Sequence, residues 1–201
     1  MPTEIEFFGS LSSPYCYFAL DRLDGLALEQ RARIIMRPVL PGVLRMPEYW
    51  SSASQSEMDY LELDISRTAQ FLGLPYGHPN PSPVEWVERG VWQPGPDQGL
   101  TYRLYNMLFR AYERSKAYDL CSSLMRLIWS GKTPGWNERD HLGPCLESCR
   151  LPASLVEQPD VLTSSAENYF ASNQQALFDC GHWGVPTMSV DGEPFFWTRS
   201  T

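Results

Sequence analysis

Apolar positions along the chain change period several times, and each change marks an element. Ile5-Glu6-Phe7-Phe8 is a short apolar run closed by Gly9-Ser10 and reads as a β-strand. From Pro14 onward the spacing turns helical, with Phe18, Leu20, Leu23, Leu26 and Leu28 as its apolar positions. This helix is predicted to end near residue 30. Residues 33–38 hold Ile34, Ile35 and Met36 and read as a second strand. Strand, helix and strand in so short a series predict a βαβ unit with parallel strands.

Pro38, Pro41, Gly42 and Pro47 then interrupt regular structure. Residues 58–72 return to helical spacing through Tyr60, Leu61, Leu63, Ile65, Ala69 and Leu72. Gly73-Leu74-Pro75 supplies the stop: a glycine able to take the left-handed cap, then a proline. The Pro-rich stretch 78–83 reads as extended, and 93–99 as a Pro/Gly loop. Residues 100–115 and 117–129 are predicted helices rich in Leu, Met and Tyr. A turn at 131–136 leads to a short helix over 139–149, and the last helix covers 164–180. Thr187 to Val190, Asp191-Gly192, and Pro194 to Trp197 form a strand, turn, strand pattern, for which Asp-Gly is a strong hairpin signal. No repeat or low-complexity tract interrupts the order.

Composition narrows the class. The 201 residues suit one domain, or one domain with a large insertion, and are enough for a substantial core. Net charge is −8 with no basic cluster, which argues against nucleic-acid binding. No apolar run reaches membrane-spanning length. Met1-Pro2-Thr3-Glu4 enters the first strand without a basic and then apolar leader, so no signal peptide is expected. Five cysteines, Cys16, Cys121, Cys145, Cys149 and Cys180, are an odd and sparse set. They fit a reducing compartment, and the cytoplasm is the expected location.

Candidate chemistry centres on Ser13-Pro14-Tyr15-Cys16. The stretch lies between a strand end and a helix start, where outward-pointing N–H groups favour negative charge. Pro14 suits the first helical turn. Ser13 then falls at the N-cap, where its oxygen would accept from an early helix N–H. By the residues alone Ser13 is first a cap and second a reactive group. Cys16 reads first as a small buried hydrophobe. A mixed disulfide, or pairing with Cys180, is the open alternative. Cys145 and Cys149 share a helix face but complete no metal-ligand set, even with His141 nearby, so no metal is expected. Asp64 and Arg67 have the spacing of a local ion pair.

Four stretches together resemble one family. Ser13-Pro14-Tyr15-Cys16-Tyr17-Phe18-Ala19 is similar to the S-P-[YF]-x-[YW]-[LF]-[AG] signature of 2-hydroxychromene-2-carboxylate isomerases. Those proteins stand close to kappa-class glutathione transferases in the wider DsbA group. Arg37-Pro38-Val39-Leu40 is similar to the family's segment after its second strand. Asp64-Ile65-Ser66-Arg67 with Gly73-Leu74-Pro75 is similar to its D-x-x-R helix and exit. Gly181-His182-Trp183-Gly184-Val185-Pro186-Thr187 is similar to its G-V-P-T loop.

The resemblance implies an α/β, thioredoxin-like fold with a large all-helical insertion: residues 1–40 and 160–201 as the thioredoxin-like part and 41–159 as the insertion. It implies glutathione as cofactor, a small aromatic substrate, and Ser13 as the catalytic residue, donating a hydrogen bond to glutathione sulfur. In the family the thiolate adds to a chromene-type substrate, allows bond rotation and is expelled. Pro186 is expected to be cis, so that Val185 pairs with the glutathione backbone. Cys16 takes the second position of C-x-x-C and is the candidate redox residue. Tyr15, Tyr105, Phe109, Tyr112, His182 and Trp183 are candidate substrate-pocket residues.

Two departures bear on these expectations. Arg199 stands where relatives place an aspartate for the γ-glutamyl end of glutathione, with no closing helix after it. Apolar sheet surface would then lie open, or be covered by a second copy in a homodimer. Residues 47–59 also lack the Asn and Lys that help relatives hold glutathione. The expected function is a glutathione-dependent isomerase acting on an aromatic-catabolism intermediate. The alternatives are a DsbA-like thiol–disulfide oxidoreductase, a kappa-like glutathione transferase, and a member without catalytic activity.

Overall fold

In the computed structural model, which describes residues 2–88 and 91–196, the first strand runs through the middle of a sheet. β1 (Thr3–Gly9) pairs in parallel with β2 (Ala32–Pro38), placing Phe7 opposite Met36. On its other side β1 pairs antiparallel with β3 (Thr187–Val190), which continues antiparallel into β4 (Glu193–Phe196). The order is β2-β1-β3-β4. Successive side chains of a strand point to opposite faces. Phe7 accordingly joins the main core and Phe8 a smaller cluster with Val39 and Leu177, each ring fully buried. A strand covered on both faces needs apolar residues at successive positions, which is why Ile5–Phe8 reads as a nearly continuous run.

Helix α1 (Pro14–Leu28) makes the crossover between β1 and β2. Between β2 and the hairpin come α2 (Gly42–Arg45), α3 (Pro47–Ser51), α4 (Gln55–Leu72), α5 (Gly99–Tyr112), α6 (Ala117–Trp129), α7 (Arg139–Ser148), a 3-10 turn (Ala153–Glu157) and α8 (Ser164–Asp179). The main core runs without a break from α1 (Phe18, Leu20, Leu23) through α5 and α6 (Leu104, Leu108, Leu120, Leu124) to α7 and α8 (Leu146, Phe170).

Three local features differ from the sequence reading: two short helices, an earlier start of α4, and a cis bond at Asn80–Pro81, whereas the cis bond at Val185–Pro186 is as expected. The stretch expected to be broken by Pro41 and Pro47 holds two short helices, because Pro41 at an N-cap and Pro47 in a first turn precede a helix rather than stop one. Helix α4 begins earlier than expected, at a capping box in which the Ser54 and Glu57 side chains each satisfy the other's backbone N–H. Both Asn80–Pro81 and Val185–Pro186 are cis. The hairpin turn is formed by Asp191 and Gly192, each at positive φ, as such two-residue turns require. On β4, Phe195 and Phe196 are 51% and 40% exposed. Trp197 and Arg199 lie outside the described residues.

Candidate functional site

The turn from β1 into α1 is held from three sides. Trp129 Nε1 donates to Leu11 O at 2.9 Å. Tyr105 donates its hydroxyl to Val39 O at 2.7 Å and lies 3.0 Å from Ser10 Oγ. The Ser10 amide donates to Cys16 Sγ at 3.4 Å. Ser10 and Tyr105 are both buried, so these bonds form where an unmade one is costly.

Ser13 occupies the N-cap with extended backbone, and Pro14 starts the helix, as the sequence predicts. The expected capping bond from the Ser13 side chain is absent. Its hydroxyl instead stands near Cys16, where it lowers that thiol slightly against the effect of burial. The half-buried Ser13 hydroxyl thus stands at the positive end of a helix without capping it.

Cys16 is wholly enclosed. Burial pushes its thiol up to about 11, against the smaller opposing effects of the Ser10 amide, the Ser13 hydroxyl and the Arg45 charge. All five cysteines are free thiols. Cys180, the suggested partner of Cys16, donates its S–H to Leu177 O at 3.1 Å.

Tyr15 donates to Asp64 Oδ2 at 2.6 Å, tying the first turn of α1 to α4. The spacing of Asp64 and Arg67 suggests a pair, yet Arg67 is exposed and the bond of Asp64 crosses between helices.

The second wall is the loop before β3. The cis bond leaves Val185 half-buried, and among the described residues neither its N–H nor its C=O has a partner. His182 shapes this loop from within. Its Nδ1 accepts from Gly184 N–H at 2.9 Å, which assigns the ring proton to Nε2. The His182 ring stacks on Phe196 at 4.2 Å. Trp183 is 38% exposed, and Tyr49 of α3 packs against it at 4.7 Å between ring centroids.

Arg45 joins the two walls. It donates from Nε to Leu40 O at 2.7 Å, from Nη1 to Gln174 Oε1, and from Nη2 to Trp183 O at 3.4 Å. Burial pulls its acidity constant below the ordinary arginine range, while Tyr105 and Cys16 act in the opposite sense.

The structure thus joins Cys16 and Tyr105 through Ser10, with Ser13 in the same turn, and Arg45 ties the loop after β2 to α8 and to Trp183 in the loop that also holds His182, Val185 and Pro186. Phe109 and Tyr112 follow Tyr105 along α5 and pack on Tyr169 of α8, Tyr112 at 4.1 Å. Sequence reasoning missed Ser10 and Arg45. The signal for Arg45 was a single cation among apolar neighbours in Val43-Leu44-Arg45-Met46. Among the described residues no cluster of His, Cys, Asp or Glu could hold a metal ion, and no helix is long and apolar enough to cross a membrane. An open polar cavity of about 520 Å³ lies elsewhere, lined by Lys116, Arg126 and Cys149 among others. It shares no residue with this site.

Comparison with solved structures gives the same architecture. A 2-hydroxychromene-2-carboxylate isomerase structure matches with a TM-score of 0.67 and 19% identity, over 96% of this chain and 88% of that one. A probable DsbA oxidoreductase from Streptomyces coelicolor matches at 0.60 and 17%, over 96% and 83%. The cytosolic disulfide reductase DsbM from Pseudomonas aeruginosa matches at 0.59 and 13%, over 96% and 87%. No curated protein sequence matches. At these identities the likeness is one of fold. The DSBA-like thioredoxin domain model matches residues 4–200, and with the parallel β1–β2 pair, the crossover helix and the cis-proline loop already in place, the chain belongs to the DSBA-like thioredoxin family.

Proposed function

We propose that the protein is a glutathione-dependent isomerase of the 2-hydroxychromene-2-carboxylate isomerase type, acting on a small aromatic substrate. One observation carries this reading: the Ser13 hydroxyl stands at the start of a 15-residue helix and makes no capping bond there. That is the placement a hydroxyl needs to stabilise a thiolate brought in by a cofactor. The residues present fit such a group. The N–H and C=O of Val185, unpaired among the described residues, suit an extended peptide, and the α1 N-terminus supplies partial positive charge.

Glutathione, when bound, supplies the thiol whose sulfur adds reversibly to the substrate. Ser13 donates its proton in a hydrogen bond to that sulfur and favours the ionised form. Tyr105 and Ser10 hold the Ser13 turn, and Tyr15 holds the first turn of α1. Trp183, with Tyr49 against it, offers an exposed aromatic face to a planar substrate.

Cys16 is poorly suited to thiol–disulfide exchange. It is enclosed, its thiol is held in the protonated form, and one cysteine cannot complete a dithiol cycle. Five free thiols fit a cytoplasmic setting.

The deciding assay follows isomerisation of 2-hydroxychromene-2-carboxylate with and without glutathione. Turnover is expected only with glutathione, and Ser13→Ala is expected to lower kcat by about 100-fold. No turnover by the wild type, or an unaffected Ser13→Ala variant, would reject the proposal.

A further inference from the structure

Arg45 carries a charge that no carboxylate among the described residues balances. Other partly buried arginines pair with carboxylates, as Arg37 does with Glu6 and Arg126 with Asp21 and Asp24. Among the described residues none lies within pairing distance of Arg45. Its acceptors are all neutral: Leu40 O, Gln174 Oε1 and Trp183 O. They come from three separate segments, the loop after β2, helix α8 and the loop before Pro186. The guanidinium is therefore clamped in place but not neutralised. Its bonds to Trp183 O, at 3.5 and 3.4 Å, are at the outer limit of hydrogen bonding. A guanidinium has five N–H donors, so donor capacity remains at the Nη edge.

Gln174 supplies a second, independent observation. A guanidinium can only donate, so the Gln174 amide must face it with Oε1. The Nε2 group then points away, and it is buried without a partner. A cation with spare donors and an amide with unpaired N–H groups thus stand side by side. Groups that only donate are both satisfied by an anion, and the planar fork of arginine matches a carboxylate best.

We propose that Arg45, with the Gln174 amide beside it, is the carboxylate-recognition point of the site and holds a carboxylate of the ligand that Ser13 engages. The inference rests on the reading of Ser13 above for which ligand arrives, but not for the chemistry of the recognition point. The carboxylate can belong to the thiol peptide or to an aromatic acid.

Calorimetric titrations separate these sources. Reduced glutathione is compared with its glycyl ethyl ester, and salicylate with salicylamide, on the wild type, Arg45→Gln, Arg45→Lys and Gln174→Glu. Arg45→Gln is expected to weaken at least one acid probe by about tenfold or more, with less effect on the counterpart whose glycyl or aryl carboxylate is masked. Arg45→Lys should fall between. Gln174→Glu places an internal carboxylate on Arg45. It should raise the melting temperature and weaken the same acid probe, so a loss of binding cannot be ascribed to unfolding. Loss for salicylate alone, with no glutathione binding to the wild type, would uphold the recognition point and sink the glutathione-dependent reading. Glutathione binding that is equal in all four proteins, with salicylate also unaffected, would overturn the recognition point and leave the reading of Ser13 standing. A wild type that binds neither acid overturns both.

Discussion

The amide of Ser10 donates to the sulfur of Cys16 at 3.4 Å, and this bond closes the only cysteine of the Ser13–Cys16 stretch into the interior. Folding raises the thiol from an ordinary 9.0 to about 11 through burial. At neutral pH the thiolate fraction is on the order of one in ten thousand. Oxidised glutathione at pH 7 is therefore expected to leave Cys16 unmodified, as read by mass spectrometry of the intact protein and its peptides. A stoichiometric adduct on Cys16 would show that the site opens.

The same shift sets a pH dependence of stability. A group whose folded value is raised binds its proton more tightly in the native state. Its stabilising effect is complete below the unfolded value and is lost as pH rises toward the folded one. Cys16 and Cys145, both raised to about 11 mainly by burial, act in the same direction. Stability in urea should be level up to about pH 8.5 and then fall between about pH 9 and 11, Cys16 contributing on the order of 2 kcal/mol. Cys16→Ala should flatten part of that fall.

Ser13 at an N-cap position would ordinarily stabilise its helix by about 1 kcal/mol. Here its side chain makes no capping bond. Ser13→Ala is expected to change unfolding stability by less than about 0.5 kcal/mol, while abolishing most turnover. A loss of stability of ordinary capping size, with turnover intact, would return Ser13 to a structural role.

Tyr105 bonds Val39 O and Ser10 Oγ from a position only 1% exposed. Tyr105→Phe leaves a buried carbonyl without its donor and should cost about 1–3 kcal/mol in denaturant titration. Because Ser10 also holds Cys16, turnover should fall more than the fraction of folded protein does.

Tyr15 and Asp64 meet at 2.6 Å across α1 and α4. A double-mutant cycle of Tyr15→Phe and Asp64→Asn should give a coupling of about 0.5–3 kcal/mol. Strict additivity of the two changes would mean that the bond contributes nothing to holding the helix start.

A Cβ at Gly184 would stand 2.9 Å from Phe196 Cε2 and 3.1 Å from His182 Cε1. Both rings are packed, so the loop before Pro186 must shift. Gly184→Ala is expected to cost about 1–3 kcal/mol and to weaken glutathione binding in calorimetry. Unchanged binding would separate this loop from the ligand.

Much of this arrangement is legible in the chain itself because it is local. The period of apolar residues places β1, α1 and β2, and Pro14 at the first turn puts Ser13 at a helix start. Asp191-Gly192 announces the hairpin, and ordered short stretches carry the family resemblance. What the tertiary structure alone decided depends on groups far apart in sequence. Whether Ser13 caps its helix is settled by the folded turn, in which its side chain makes no capping bond. Whether Cys16 ionises is settled by how many core side chains enclose it, a quantity that no spacing encodes. Asp64 meets Tyr15 rather than the Arg67 three residues on, because packing of α1 on α4 supplies a nearer donor. Arg45 shows the limit most clearly. In sequence it is one cation among apolar neighbours. Only the convergence of Leu40, Gln174 and Trp183 clamps it, with no carboxylate among the described residues to balance it.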